Sequence, residues 1–205
     1  MKIELQQVGK KFNRQWLFKN ISYQFNAQHS YAIIGNNGSG KSTLLQMIYG
    51  FQTISSGKMI VQNNTQTIAD ETIHQLTSFV SPYLELLEDF TLREMLQFHF
   101  QFKPKAKTIS IDEMMVLCKL ENSHNKQIKL FSSGMKQRLK LALAFFSDTP
   151  LLLFDEPCSN LDAQGIDWYQ EMIKNVLGKR TIVIASNQHF EYNFCDGELR
   201  VEDFK

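Results

Sequence analysis

Alternating apolar and polar residues open the chain and predict two half-exposed antiparallel strands. The apolar positions are Ile3, Leu5 and Val8, then Leu17, Ile21, Tyr23 and Phe25. This period-two alternation is typical of strands that bury one face and leave the other in solvent. We therefore expect an N-terminal antiparallel β subdomain, and the later stretch "SGKMIVQNN" predicts another hairpin strand.

Three continuous apolar runs follow a different pattern. They are "SYAIIG" from Ser30, "LLLFDEP" from Leu151 and "TIVIAS" from Thr181. Strands of parallel sheets have such runs because helices cover both of their faces. The apolar residues have helical spacing up to Gly50 and again from about Ala163 to Gly178. This spacing predicts helices that could cover these strands. The stretch "GELRVED" near the end predicts a short hairpin strand.

From about Pro82 to Phe146 the pattern is helical. The stretches "TLRE" from Thr91 and "SIDE" from Ser110 are capping boxes, and Pro104 separates the two helices that they open. A third helix is predicted to begin near Ser132. The elements together predict strand–helix units of the parallel α/β class that flank a helical insert.

Composition narrows the function classes. Hydrophobic residues make up 43% of the 205 positions, which is enough for a core. The net charge of +1 gives no electrostatic reason to expect nucleic acid as a partner. Three widely spaced cysteines without a C-x-x-C pair argue against disulfides or zinc and favour a reducing cytoplasm. The polar, alternating start is not expected to be a signal peptide, and no apolar run in the sequence approaches the roughly 20 residues that span a bilayer.

The stretch "GNNGSGKST" lies between the first buried strand and the helix after it. It satisfies G-x-x-x-x-G-K-[ST], in which glycines let successive backbone N–H groups turn inward around phosphate oxygens. Lys41 would add a positive charge for the β- and γ-phosphates, and the Ser42 hydroxyl would suit Mg²⁺. The predicted phosphate-binding residues are Gly35, Asn36, Asn37, Gly38, Ser39, Gly40, Lys41, Ser42 and Thr43.

An acidic pair, Asp155 and Glu156, ends the second buried strand. Ligands of parallel sheets bind at the carboxyl ends of strands, so both side chains are expected beside the phosphate loop. Asp155 is predicted to hold Mg²⁺, directly or through water. Glu156 is predicted to be the general base for the water that attacks the γ-phosphate.

The predicted nucleotide is ATP. A guanine site of the common type needs N-K-x-D, and the nearest stretch, "NKQI" from Asn125, lacks the aspartate. An adenine ring needs a flat apolar surface, for which Phe12 is the candidate and Trp16 the alternative. Simple packing remains an open interpretation of Phe12.

The stretch "FSSGMKQRLKLALA" from Phe131 resembles the signature motif of ATP-binding-cassette (ABC) proteins, usually L-S-G-G-Q followed by a basic helix. The stretch "SNLD" from Ser159 resembles the D-loop of that family. The resemblance covers nearly the whole chain and implies the ATPase subunit of an ABC transporter. The implied fold is α/β: a P-loop NTPase core with a mainly parallel sheet, an N-terminal antiparallel β subdomain and a helical subdomain insert at about 82–146, in one domain over 1–205.

The resemblance also implies a head-to-tail pair of cassettes, a homodimer or a heterodimer, with ATP between the phosphate loop of one subunit and the signature of the other. Ser132 can cap the signature helix while Gly134 permits close backbone approach, which presents a second anion-binding helix N-terminus. The nucleotide-binding residues expected from this half are Ser132, Ser133, Gly134, Met135 and Asp162.

Some positions depart from the family pattern. The signature has Ser133 and Met135 where the family usually has glycine and glutamine. The usual glutamine of the Q-loop is replaced by Pro82, which offers no side-chain ligand. Water would have to fill that place, or a neighbour such as Tyr83 or Glu85 would have to substitute.

Asn187 stands where the family usually has the switch histidine, and His189 follows two residues later. Asparagine can hydrogen-bond a γ-phosphate but does not titrate near neutral pH. The predicted catalytic residues are therefore Glu156, Lys41 and Asn187, and we expect slow hydrolysis. Compensation by His189 and a plain surface position both stay open for that histidine.

The resemblance implies that ATP-driven dimer closure acts on a transmembrane permease, which would hold this subunit on the cytoplasmic face of the membrane. We expect an exporter because the compact chain resembles exporter ATPases, and we expect permease docking around Tyr83 to Phe102. Two alternatives stay open: a soluble ABC ATPase that acts on DNA or ribosomes, and an ATP-binding scaffold with weak or no hydrolysis. The transported substrate is not indicated.

Overall fold

The computed structural model describes residues 1–106 and 109–205. The strands are β1 (Lys2–Phe12), β2 (Gln15–Phe25), β3 (Ser30–Ile34), β4 (Ser56–Asn63), β5 (Gln66–Thr67), β6 (Thr77–Val80), β7 (Leu151–Asp155), β8 (Thr181–Ala185) and β9 (Gly197–Arg200). The α-helices are α1 (Lys41–Tyr49), α2 (Leu92–Phe102), α3 (Ile111–Leu117), α4 (Ser133–Phe146) and α5 (Ala163–Lys174).

The central sheet is parallel and has the strand order β6–β7–β8–β3–β9. Every residue of β3, β7 and β8 is buried, which confirms the prediction from the three apolar runs. Along β7, Leu152 and Phe154 pack into a core beneath α2 to α5, whereas Leu151 and Leu153 pack into a core with α1. The strand is apolar throughout because both of its faces are covered.

The N-terminal strands form the second sheet, of order β2–β1–β4–β5, and its pairings are antiparallel. Ile3, Leu5 and Val8 of β1 are buried in the core that α1 shares, as their alternation predicts. This sheet confirms the predicted antiparallel subdomain. The α/β fold class is confirmed with it, because parallel sheet, antiparallel sheet and helices are all present.

Helices α2, α3 and α4 lie between β6 and β7 along the chain. Thr91 and Ser110 cap α2 and α3, and both predicted capping boxes are present. Ser132 caps α4 through a hydrogen bond that its hydroxyl accepts from the Met135 N–H. The longest helix in the described residues, α4, has 14 residues, and none of the helices there is long and apolar enough to cross a membrane.

Three elements differ from the prediction. Strand β6 was not predicted because its first residues are the polar Thr77 and Ser78, whose buried hydroxyls are satisfied by hydrogen bonds. The prediction that "GELRVED" forms a hairpin strand is wrong, since β9 runs parallel to β3. Asp196 accepts hydrogen bonds from the N–H and hydroxyl of Ser30. This contact places the starts of β3 and β9 side by side, so that both strands run in the same direction. Helix α5 ends at Lys174 instead of near Gly178.

We expect Thr91→Ala to destabilise the protein by about 1 kcal/mol, because the hydroxyl that caps the first turn of α2 is lost. Ser110→Ala should cost a similar amount at α3. Thr65→Ala, at an exposed turn between β4 and β5, is the matched control and should stay within about 0.5 kcal/mol of wild type. Urea unfolding measures all three, and equal stability of the Thr91 and Thr65 variants would contradict the capping role.

Candidate functional site

The loop from Gly35 to Gly40 joins β3 to α1 and curls tightly. Gly35 has a φ of 145°, and a Cβ there would lie 2.7 Å from the Ser39 hydroxyl. Gly40 has a φ of 109°, and a Cβ there would lie 2.9 Å from the Leu17 side chain. A side chain at either glycine would therefore both strain the backbone and meet a neighbour, which explains glycine at these two positions.

Lys41 is buried in the first turn of α1, and its ammonium lies against the loop. The Nζ donates to the carbonyls of Gly35 at 2.8 Å and Asn36 at 3.2 Å. The Ser39 hydroxyl is also buried and has no hydrogen-bond partner among the described residues. A cation and an unused hydroxyl inside a loop of backbone N–H groups together fit the phosphate groups of a nucleotide.

The Ser42 hydroxyl donates to Asp155 Oδ1 at 2.8 Å, which joins α1 to the end of β7. Asp155 is buried, and burial raises the pKa of its carboxyl above the usual value, with the Ser42 hydrogen bond opposing that rise. A hydroxyl and a buried carboxylate form a donor set of hard oxygen atoms. Such a set fits Mg²⁺, which would relieve the cost of the buried negative charge.

Glu156 follows Asp155 in a turn with a φ of 44°. Its N–H donates to the Ala185 carbonyl at 2.9 Å, and its Oε2 accepts from the Ser159 hydroxyl at 3.3 Å. The backbone is therefore bound to β8, while the carboxylate faces the start of the D-loop. Glu156 lines the cavity beside the phosphate loop, where a general base could reach a water molecule.

A cavity of about 510 Å³ lies beside the phosphate loop. Phe12 forms one edge of this cavity and is 48% exposed, whereas Trp16 is not among the lining residues. Lys10 Nζ lies 5.0 Å from the centroid of the Phe12 ring. The geometry thus favours Phe12 over Trp16 as the flat surface for a base. The lining residues are Phe12, Leu17, Asn37, Gly38, Gly40, Lys41, Ser42, Thr43, Pro82, Tyr83, Asp155 and Glu156.

The signature residues line a second cavity, of about 440 Å³, that shares no lining residue with the first. A Cβ at Gly134 would lie 2.9 Å from the Asn160 carbonyl, so glycine permits the D-loop to approach α4. Asp162 accepts from the Gly165 N–H at 2.8 Å and thereby caps α5. Within one chain, the predicted nucleotide-binding residues therefore fall into two groups, one at each cavity. The group at the second cavity consists of Ser132, Ser133, Gly134, Met135 and Asp162.

Asn187 follows β8 and is exposed at the edge of the site. Its Nδ2 donates to Asn37 Oδ1 at 3.0 Å, which places the amide against the phosphate loop. His189 instead packs its ring against Tyr192, with 5.5 Å between the centroids, and neither Asn187 nor His189 is among the residues that line the nucleotide cavity. The packing of His189 agrees with the surface interpretation of that histidine.

Two residues near the site were missed by sequence reasoning. The Ser81 hydroxyl lies 3.5 Å from Asp155 Oδ2 because Ser81 follows β6, the neighbour of β7. Recognising β6 as a strand could have found it. Glu202 accepts from the Asn36 N–H at 2.9 Å and so supports the phosphate loop from the far end of the chain. No local sequence signal indicates that contact.

The expected docking region, Tyr83 to Phe102, is part core and part surface. Tyr83 is 87% exposed and Phe102 is 71% exposed, whereas Phe90 and Phe100 pack against the core beneath the helices. Some aromatic residues of this stretch therefore belong to the core, and others lie on the surface. Only the exposed ones are available to a partner.

Residues 18–159 match the family model described as ABC transporter. The chain belongs to this family, as an ABC transporter ATPase subunit. The match begins in β2 and ends in the D-loop, so it includes the phosphate loop, the signature and the acidic pair. Proteins of this family bind ATP.

Curated relatives agree with the family. YybJ of Bacillus subtilis (strain 168), an uncharacterized ABC transporter ATP-binding protein, is 29% identical over 97% of this chain and 92% of its own length. The Nod factor export ATP-binding protein I of Burkholderia lata is 29% identical over 98% of this chain and 68% of its own length.

Solved ABC cassettes share the fold. The dimeric structure of the bacterial cassette MJ0796 matches with a TM-score of 0.81 and 21% identity over 97% of this chain and 94% of its own. A dimeric post-hydrolysis structure of MJ0796 bound to ADP and Pi has the same TM-score and identity over 97% and 93%. At this identity the likeness supports the α/β cassette fold.

We expect Lys41→Met to weaken ATP binding about 100-fold, because a charge-assisted contact to phosphate contributes about 3 kcal/mol. Methionine keeps the length of the side chain but removes the ammonium. Lys58→Met, at an exposed position of β4, is the control and should bind ATP as wild type does. Isothermal titration calorimetry measures both, and unchanged affinity in a folded Lys41 variant would contradict the predicted role.

Proposed function

We propose that this ABC ATPase binds Mg-ATP at the phosphate loop, closes with a second cassette over the nucleotide, and powers an exporter. The observation that carries the proposal is the presence of two separate cavities, one at the phosphate loop and one at the signature. Each cavity contains one part of the expected nucleotide contacts. A head-to-tail pair of cassettes would complete both sites at once.

At the phosphate end, the loop N–H groups and the α1 N-terminus would bind the β- and γ-phosphates. Lys41 would exchange its carbonyl partners in the loop for phosphate oxygens, which bear more negative charge than a carbonyl. Ser42 and Asp155 would hold Mg²⁺. When bound, Mg²⁺ supplies positive charge that neutralises the phosphate oxygens and orients them.

Glu156 would accept a proton from the attacking water as the water oxygen bonds to the γ-phosphorus and the bond to the ADP oxygen breaks. The products are ADP and phosphate. The Asn187 amide, which contacts Asn37 at the phosphate loop, would donate a hydrogen bond to the γ-phosphate. It would act by orientation only, because an amide does not exchange a proton near neutral pH.

The signature half would bind the nucleotide of the other subunit. Ser132 and Ser133 are exposed at the N-terminus of α4, where backbone N–H groups and two hydroxyls can meet an anion. ATP would thus supply a shared anionic ligand between two chains, each of which leaves half of the site open. Closure is therefore expected to depend on nucleotide.

The direction of transport is proposed from the relatives. The Burkholderia lata relative is named for Nod factor export, which favours an exporter for this chain without indicating the cargo. A permease partner would dock beside the nucleotide cavity. The exposed side chains of Tyr83, Leu87 and Phe102 make that surface partly apolar.

We expect Glu156→Gln to abolish hydrolysis and to leave a stable dimer in the presence of Mg-ATP. Glutamine keeps the size and polarity of the side chain but cannot accept the proton from water. Steady-state phosphate release and light scattering with and without ATP measure the two effects. Wild-type turnover by this variant would contradict the assignment of Glu156 as general base. A monomer at saturating Mg-ATP would contradict nucleotide-driven closure.

A second candidate function is an ATP-binding scaffold with weak or no hydrolysis. Pro82 and Asn187 favour it, since neither supplies the side chain that usually helps to position the attacking water. Both candidates require ATP binding and differ in turnover. Phosphate release by purified wild-type protein separates them, because an ATPase continues beyond one phosphate per bound nucleotide.

We expect wild-type turnover below about 1 s⁻¹, the lower end of the usual range. Asn187→His should raise it at least about 10-fold, because a titratable imidazole would then face the γ-phosphate. The control is His189→Ala, which should change turnover less than about 2-fold if His189 only packs against Tyr192. Fast wild-type turnover, or a larger effect at His189 than at Asn187, would contradict this assignment.

A further inference from the structure

The turn after β6 presents Ser81 to the proposed metal carboxylate. Val80 pairs with Phe154 in the parallel register of β6 and β7, so the next residues, Ser81 and Asp155, emerge side by side. Ser81 is buried and its Oγ lies 3.5 Å from Asp155 Oδ2. Ser42 donates to the other carboxylate oxygen, Oδ1. The carboxylate is thus flanked by two hydroxyls, one from each side.

Among the described residues, the Ser81 hydroxyl makes two hydrogen bonds, and both are long. Besides its 3.5 Å contact with Asp155, it accepts from the Tyr83 N–H at 3.4 Å. Both distances exceed the usual range, so a small rotation can turn the hydroxyl to another oxygen partner at little cost. Tyr83 is exposed and lines the nucleotide cavity, and Glu85 is exposed, whereas Ser81 is buried against the carboxylate. Of the residues around Pro82, Ser81 is the one whose side chain contacts Asp155.

Lys140 of α4 holds the same turn from behind. Its Nζ donates to the Pro82 carbonyl at 2.9 Å and to the Ser81 carbonyl at 3.3 Å. Lys140 lies seven residues after Ser133, about two helical turns along the same face. A rigid helix therefore connects the turn beside Asp155 to the signature residues at the start of α4.

We propose that Ser81 supplies the metal-side hydroxyl that the Pro82 turn would otherwise lack, and that Lys140 positions it. Ser81 would contact Mg²⁺ or a water bound to it, and Lys140 would hold the turn that carries Ser81 through the Ser81 and Pro82 carbonyls. The inference rests on the proposed function, because it assumes Mg-ATP at the phosphate loop. It assigns two residues outside the signature, the phosphate loop and the acidic pair.

Mn²⁺ affinity of the full chain, saturated with a non-hydrolysable ATP analogue, tests the role of Ser81 without relying on activity. Free Mn²⁺ is counted by electron paramagnetic resonance. Ser81→Ala should weaken Mn²⁺ binding about 10-fold, as expected for lost contacts around a metal. Ser81→Thr keeps the hydroxyl and should restore most of the affinity. Ser78→Ala removes a buried hydroxyl of β6, the strand that precedes Ser81; this hydroxyl is bonded to Thr149, so Mn²⁺ affinity should stay unchanged.

The same assay tests Lys140. Lys140→Met should weaken Mn²⁺ binding several-fold, and Lys140→Arg should retain it because the cation still reaches the two carbonyls. Lys136→Met, one helical turn earlier and paired with Glu88, is the matched control. If Lys140 acts through Ser81, the Ser81→Ala/Lys140→Met double variant should be no weaker than Ser81→Ala alone.

The affinity of the protein for the ATP analogue, measured without metal, distinguishes failure of the Ser81 and Lys140 assignments from failure of the proposed function. It should be equal in wild type and in the Ser81 and Lys140 variants, because neither residue belongs to the phosphate loop. Unchanged Mn²⁺ affinity in Ser81→Ala would overturn the role of Ser81, and additive losses in the double variant would overturn its positioning by Lys140. A wild-type protein that does not bind the analogue would overturn the proposed function itself.

Discussion

The hydrogen bond from Ser42 to Asp155 joins the start of α1 to the end of β7, and the candidate site is built around it. This hydrogen bond forms because the parallel strands are in register, so the residues that follow them lie at one edge of the sheet. Asp155 pairs with Ala185, and Ile33 pairs with Ala185 from the other side. The phosphate loop, the acidic pair and Asn187 thus meet without being neighbours in sequence. Burial of the strands on both faces keeps this edge rigid.

Helix α4 is attached to the sheet along part of its length, which limits how the signature can move. The Gln137 amide donates to the Pro157 carbonyl at 2.7 Å, just after the acidic pair. Arg180 donates to the carbonyls of Phe145 and Ser147 at the other end of the helix. Ser132, by contrast, is exposed at the helix start. Because Gln137 lies only four residues after Ser133, a rotation of α4 would have to break the Gln137–Pro157 contact or move Pro157 with it.

The elements predicted well are those whose signal is local. The capping boxes and the three buried strands each depend on a short run of residues. Strand β6 and its neighbour Ser81 were missed because their place depends on pairing with β7, about 70 residues later. The predicted hairpin pairing of β9 was wrong because alternation indicates a half-exposed strand but does not indicate whether it pairs in parallel or antiparallel. Glu202 reaches Asn36 across 166 residues, so tertiary packing alone positions it.

The contact between Asn187 and Asn37 changes how the site would respond to its ligand. Both groups are neutral amides, so their 3.0 Å hydrogen bond adds no charge beside the phosphate loop. A histidine there would gain a proton as the anionic phosphate arrived and would strengthen its contact. Asn187 has no such gain, and Pro82 adds no side-chain ligand. Positioning of the water would therefore fall on Glu156 and on the oxygen atoms around Asp155.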